Sequence, residues 1–309
     1  MENFKVSVVI PSYNEEQNIP VLAQSLSGIL EKYPDYEIIF VNDGSSDKTL
    51  DNIKKTRESN DKIHYVSFSR NFGHQNALRA GLDAAKGDCI VSMDADMQHP
   101  PEIIPDLIDK WLEGWDIVYT IREDSKKLSF FKRKSASMFY GIINKLANLQ
   151  IEKGAADFRL LDRKVVDALK LFRERSIFYR GIISWMGFKQ LGIRYKPADR
   201  LYGESKYTLK KMFAFALNGI TSFSVVPLHI STVLGIIISI LSFAYGLYSI
   251  IIKIFTNKTI SGWTSIMVGI FFLGGIQLIM LGIIGEYIGK LFIEIKGRPS
   301  YIVEEKSID

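Results

Sequence analysis

Two aspartates set one residue apart, Asp94 and Asp96, with Gln98 following at the same interval, are the residues most able to do chemistry. They close an apolar run over 89–94 that reads as a strand, and on an extended backbone side chains two apart point to one side. The three would then present a row of oxygen ligands. Hard divalent cations such as Mg2+ or Mn2+ take one or two carboxylates plus the oxygens of a bound diphosphate. Such an ion neutralises the charge that develops on a departing nucleoside diphosphate. A lone Asp-x-Asp also occurs in solvated turns, but the strand before it and Gln98-His99-Pro100-Pro101 after it favour a metal site.

Other polar residues gather at equivalent places. Asp43, beside Gly44 and Ser45, can accept hydrogen bonds from a base or ribose, with glycine letting the backbone approach closely; Asn-Asp-Gly is equally a plain turn signal. Tyr13 can stack on a base or simply pack, and Glu15 can bind ribose hydroxyls or merely favour a helix N-terminus. Their joint placement after successive strands carries the inference.

Those strands are legible. β-branched apolar runs at 6–10, 37–42, 63–67, 89–94 and 117–120 alternate with helical patterns at 19–30, 48–57, 75–85 and 103–113. Strands alternating with helices predict an α/β fold with a mostly parallel, Rossmann-like sheet. In open sheets of this kind ligands sit beyond the carboxyl ends of the strands, where the acidic loops fall. Beyond residue 120 the pattern loosens. A basic amphipathic helix is expected over about 128–149, able to lie in the headgroup plane of a membrane or to cover a face of the sheet. A second amphipathic stretch is expected over 208–228.

The remaining chain needs a different solvent. Residues 230–285 carry only Lys253 and Lys258 as charges. The uncharged run over 230–252 would span roughly 35 Å as a helix, enough to cross a bilayer's hydrocarbon core. A second run gives a span over about 262–285, and the pair forms a hairpin with both ends on one side. The expected organisation is a catalytic domain over 1–207, a juxtamembrane helix over 208–228, two spans within 229–293 and a polar tail over 294–309. No apolar leader opens the chain, and Lys206, Lys210, Lys211, Lys290, Lys296 and Arg298 outnumber the two loop lysines. These features predict a multi-pass protein of the cell (inner) membrane with its catalytic domain and both termini cytoplasmic. One cysteine, Cys89, excludes an intramolecular disulfide framework, and the charge of +5 suits anionic lipids and phosphates. No nucleic-acid-binding motif is present.

A set of segments carries a resemblance over nearly the whole chain: Val9-Ile10-Pro11-Ser12-Tyr13-Asn14-Glu15-Glu16, Val41-Asn42-Asp43-Gly44-Ser45, Ser69-Arg70-Asn71-Phe72-Gly73, Met93-Asp94-Ala95-Asp96-Met97-Gln98, Ala156-Asp157-Phe158-Arg159-Leu160, Gly203-Glu204-Ser205-Lys206 and Gly285-Glu286-Tyr287-Ile288-Gly289. In these the chain resembles the inverting family 2 glycosyltransferases with a GT-A fold. More narrowly it resembles the polyprenyl-phosphate glycosyltransferases, which include dolichol-phosphate mannose synthases and bactoprenol glucosyltransferases. The resemblance implies that Pro11, Tyr13, Glu15 and Asp43 hold the nucleoside of the donor. Asp94, Asp96 and Gln98 would hold metal and diphosphate, with Asp96 also counted as catalytic. Arg122, Arg133 and Ser137 match acceptor-phosphate positions, Lys206 a partner of the donor diphosphate, and Asp157 the catalytic aspartate.

The role of Asp157 stays open, because a phosphate monoester with a second pKa of about 6 is largely dianionic at neutral pH and hardly needs a base. No second carboxylate is placed as a covalent nucleophile, so a single displacement with inversion is expected. By resemblance the donor is UDP-glucose or UDP-N-acetylglucosamine ahead of GDP-mannose, the acceptor undecaprenyl phosphate or another polyprenyl phosphate, and the protein a homo-oligomer. The product would be a lipid-linked sugar for cell-envelope glycan modification. Two rivals are a processive polysaccharide synthase, whose Gln-x-x-Arg-Trp motif is missing, and a non-catalytic scaffold subunit for a lipid flippase. The full set of donor ligands speaks against the scaffold.

Overall fold

The computed structural model of the chain describes residues 4–123, 152, 154–175, 178–196, 224–256 and 262–308. The first half alternates as the pattern requires: β1 Lys5–Ser12, α1 Asn18–Leu30, β2 Asp35–Asn42, α2 Thr49–Ser59, β3 Ile63–Phe68, α3 His74–Ala84, β4 Cys89–Ser92, α4 Ile104–Leu112 after a short 3-10 turn, and β5 Ile117–Arg122. Then come β6 Ala155–Asp162, α5 Arg163–Lys170, α6 Tyr179–Trp185, β7 Gln190–Tyr195, α7 Val226–Thr256, α8 Trp263–Ile295 and β8 Val303–Lys306.

The strands form one sheet of order β7-β5-β6-β4-β1-β2-β3-β8. β1 sits near its centre, paired in parallel with β2 and β4, and is buried along nearly its full length, which is why its sequence is continuously apolar rather than alternating. α1 and α4 cover one face, where Leu22, Leu26, Phe40, Leu107 and Phe158 pack in a dry core. α3 lies against the opposite face so closely that a Cβ on Gly81 would stand 2.1 Å from Val9 Cγ1. Only glycine allows that approach.

Three departures from the sequence reading matter for the site. β1 runs on through Pro11 and Ser12, in register with Val41 and Asn42. β4 stops at Ser92, two residues before the expected end, so Asp94 begins a turn instead of closing a strand. β6 is antiparallel to both β4 and β5, and this reversal brings the start of β6 to the rim where β4 and β5 end.

The chain divides into two compact units, Met1–Ala216 with Pro299–Asp309, and Leu217–Arg298. The expected polar tail is thus corrected in part. Its Val303–Lys306 stretch is an edge strand antiparallel to β3, with Lys306 opposite Val66, Glu305 opposite Ser67 and, past a register shift, Val303 opposite Phe68; Ile308 beyond it is buried. The second unit contains α7 and α8, apolar over Val226–Ile252 and Val268–Ile295. The first stretch covers the expected 230–252; the second lies further along than 262–285. Their apolar side chains face outward, with Phe243 75% and Leu278 72% exposed. Tyr287 OH donates to the Ser224 carbonyl at 2.6 Å, so the entry to α7 meets the later part of α8 as in an antiparallel hairpin. Residues 128–149 and most of 208–228, including both expected amphipathic helices, lie outside the described residues.

Candidate active site

Because β1, β2, β4 and β5 run the same way and β6 opposes them, one rim collects Ser12, Asp43, Asp94, Arg122 and Asp157. At the β2 end, Asp43 is buried and its carboxylate accepts from Phe72 N at 2.7 Å and Gly73 N at 3.0 Å. Desolvation raises its pKa, an effect the two N–H groups only partly offset. Gly44 adopts φ +63, and a Cβ there would lie 2.3 Å from the Arg70 carbonyl carbon, so the turn needs glycine for both conformation and space. Pro11 is buried within β1, and Tyr13 is 40% exposed beyond it. Glu15 accepts from Asn18 Nδ2 at 2.6 Å while its N–H donates to Thr49 Oγ1 at 2.8 Å, which ties the loop to α1 and α2.

The Asp94–Gln98 segment does not form the extended row expected of it. Met97 takes φ 61, and Gln98 N donates to Asp96 Oδ1 at 3.1 Å, so the aspartate closes a turn on itself. His99 fixes the start of this turn: its Nδ1 lies 3.0 Å from Asp94 N, and its ring stacks on Phe158 at 5.2 Å. Gln98 reaches across β6 to the end of β5, where Arg122 Nη1 donates to its Oε1 at 3.3 Å. Among the described residues no three His, Cys, Asp or Glu side chains are by themselves placed to hold a metal ion. The turn supplies two carboxylates and an amide oxygen, a set that fits a hard cation taking its remaining ligands from a diphosphate.

Three further residues complete the charge balance. His74, the first residue of α3, places Nε2 at 2.8 Å from Asp94 Oδ1. Desolvation works against the imidazolium, yet the Asp94 hydrogen bond and charge raise His74 to about 9. Desolvation likewise works against the Asp94 carboxylate, and the neighbouring His99 and His74 nevertheless hold it at about 2. Asp157 meets Arg180 in a two-pronged pair, Nε to Oδ1 at 2.8 Å and Nη2 to Oδ2 at 2.9 Å, with Arg159 Nη2 at 3.4 Å from Oδ1. Desolvation opposes that carboxylate too, and Arg180 overrides it, pushing the pKa well below the usual carboxylate range.

The structure therefore brings Asp43, Asp94, Asp96, Gln98, Arg122 and Asp157 to one rim, whereas Arg133, Ser137 and Lys206 lie outside the described residues. Sequence reasoning missed His74 and Arg180, and named His99 only within the segment that follows the aspartates. His74 directly follows Gly73 of a quoted segment and was within reach; Arg180 sits on a short helix far along the chain and has no local signal.

Comparison with known proteins agrees with this architecture. The Glycosyl transferase family 2 pattern matches residues 7–170, and the GtrB C-terminal hairpin pattern matches residues 226–291. The chain belongs to glycosyl transferase family 2, with the α/β GT-A fold. It is 43% identical to the SfII prophage-derived bactoprenol glucosyl transferase of Shigella flexneri, over 97% of this chain and 98% of that one. It is 44% identical to the prophage bactoprenol glucosyl transferase homolog of Escherichia coli (strain K12), again over 97% and 98%. Among solved structures, glucosyl-3-phosphoglycerate synthase from Mycobacterium tuberculosis in complex with Mn2+ and uridine-diphosphate-glucose is 21% identical, covering 71% of this chain and 77% of that chain with a TM-score of 0.45.

Proposed function

We propose that this protein transfers a hexose, glucose ahead of N-acetylglucosamine, from its UDP conjugate to undecaprenyl phosphate with inversion at the anomeric carbon. The observation that carries the reading is the convergence of Asp43, the Asp94–Gln98 turn and Arg122 on one rim of a family 2 fold, in a chain similar end to end to bactoprenol glucosyl transferases. Asp43, Pro11, Tyr13 and Glu15 hold the nucleoside in this reading. Asp94, Asp96 and Gln98 hold Mg2+ or Mn2+, which when bound neutralises charge on the departing diphosphate. Arg122 receives the acceptor phosphate together with Arg133 and Ser137, and Lys206 attends the donor diphosphate.

Asp157 orients and does not deprotonate. Its carboxylate is engaged by Arg180 and Arg159, and a dianionic acceptor attacks without losing a proton. The pair keeps Arg180 aimed at the rim, where its charge favours two phosphates approaching one another. His74 does the same for Asp94, holding the carboxylate that faces the cation.

The two apolar helices cross the membrane as a hairpin, with the catalytic domain and both termini in the cytoplasm. Supporting this are the chain entering and leaving the hairpin from one unit and the excess of lysine and arginine outside its loop. The outward apolar faces of α7 and α8 also leave room for further copies, and a homo-oligomer is proposed. The product is a lipid-linked sugar for cell-envelope glycan modification. The test is to incubate membranes containing the protein with radiolabelled UDP-glucose, UDP-N-acetylglucosamine and GDP-mannose and to measure label in the organic-solvent extract. Label from UDP-glucose in the lipid fraction is expected; absence of label from all three would overturn the reading.

A further inference from the structure

The segment after α8 does more than close the sheet. Tyr301 stacks on Phe68 with ring centroids 4.9 Å apart and planes 16° from parallel, and its hydroxyl donates to Asp83 Oδ2 at 3.1 Å. Phe68, at the end of β3 and almost fully buried, meets Phe72 edge-on at 5.7 Å. The Arg70 guanidinium covers Phe72 at 4.1 Å. One residue beyond Tyr301, the Ile302 carbonyl accepts from Ser69 N at 3.1 Å. The 69–73 loop is thus held at its root by the C-terminal segment, through a backbone hydrogen bond and an aromatic stack.

That loop is the one whose Phe72 and Gly73 N–H groups bind the Asp43 carboxylate, and its Arg70 backbone sets the space into which only Gly44 fits. We propose that Tyr301 is a positioning residue for the nucleoside end of the donor site, acting through Phe68 and Phe72 on Asp43. The proposal rests on the reading of Asp43 as a nucleoside ligand. The C-terminal segment is then part of the donor site. Removing the Tyr301 ring leaves Phe68 unsupported on one side, the 69–73 loop gains freedom, and Asp43 is presented less often in its binding geometry. The hydroxyl matters less than the ring, since it is the ring that Phe68 stacks on, and Phe72 is reached only through Phe68.

The test uses the full-length protein in detergent or nanodiscs, with UDP binding measured by calorimetry alongside steady-state kinetics. Tyr301→Ala should weaken UDP binding and raise the donor KM by about three- to tenfold, the range an aromatic pair is worth. Its kcat and acceptor KM should stay near wild type. Tyr301→Phe, which keeps the stack, should stay within about twofold. Lys54→Ala, which breaks the 2.6 Å pair with Glu305 in β8, loosens the segment away from Tyr301 and should leave the donor KM unchanged. Asp43→Ala is the reference arm. If Asp43→Ala binds UDP normally, the donor reading fails and the inference falls with it. If Asp43→Ala loses UDP while Tyr301→Ala does not, the inference alone is overturned. Equal losses in kcat, acceptor KM and thermal stability for Tyr301→Ala and Tyr301→Phe would also overturn it, since the segment would then be scaffold only.

Discussion

Charge compensation decides how the acidic residues of the rim behave. Asp157 is largely buried, which alone would raise its pKa, while Asp94 keeps 37% of its side chain exposed; each stays ionised because a cationic group meets it, His74 for Asp94 and Arg180 with Arg159 for Asp157. A depressed carboxylate pKa stabilises the fold above the unfolded value of about 3.9, and that contribution disappears only as pH falls through the folded value. The Asp157–Arg180 pair is therefore intact throughout the neutral range. Asp157→Asn should lower kcat while leaving the acid limb of the pH–rate profile near pH 6, where the acceptor phosphate titrates, as about that value is the second pKa of a phosphate monoester. Loss of the acid limb in the variant would assign proton removal to Asp157. Asp96 lies further out in the turn and accepts from Gln98 N. Asp96→Ala should abolish transfer, by about a hundredfold or more, with little change in melting temperature. Wild-type turnover in the presence of a chelator would reject the metal role of this turn.

At the scale of elements, the turns after β2 and β3 act as one unit. Gly44 is the contact point: φ +63 disfavours any L side chain, and a Cβ would collide with the Arg70 carbonyl carbon at 2.3 Å. The left-handed conformation alone costs about 1–2 kcal/mol for a non-glycine residue, and the clash adds to it. Gly44→Ala should lower the melting temperature and raise the donor KM together. A variant with raised stability would show that the two turns are free to separate. The turn after β4 illustrates the opposite dependence. Its Asp-x-Asp-x-Gln spacing promised a flat row of ligands, but β4 ends at Ser92 and Met97 turns left-handed, so the three side chains reach the rim by a bend.

For the whole molecule, the decisive feature is that a strand from after the second apolar helix belongs to the same sheet as the first residues of the chain. β8 pairs with β3, so the polypeptide that leaves α8 rejoins the unit it left. If α7 and α8 cross a membrane, both ends of the pair must share the compartment of the catalytic domain. A tag on the C-terminus should stay protected from protease in sealed right-side-out vesicles and be cleaved in inverted ones. Cleavage from outside would overturn the hairpin topology, and with it the cytoplasmic site.

Much of this was legible in the residue order because it depends on local physics. Continuous β-branched runs make buried parallel strands, periodic apolar residues make helices, and long uncharged stretches make spans, so β1 to β5, α1 to α4 and the two long helices follow from pattern alone. Asp43, Asp94 and Asp96 were identifiable too, since loops after such strands must meet at one rim. What the order of residues could not determine is anything requiring two distant segments to meet. The reversal of β6 that delivers Asp157, the Arg180 side chain that grips it, the imidazole of His74 against Asp94, and Tyr301 stacked on Phe68 all join parts of the chain whose separation carries no periodic signal. Those pairings are chosen by burial and charge compensation in three dimensions, and only the folded chain supplies both.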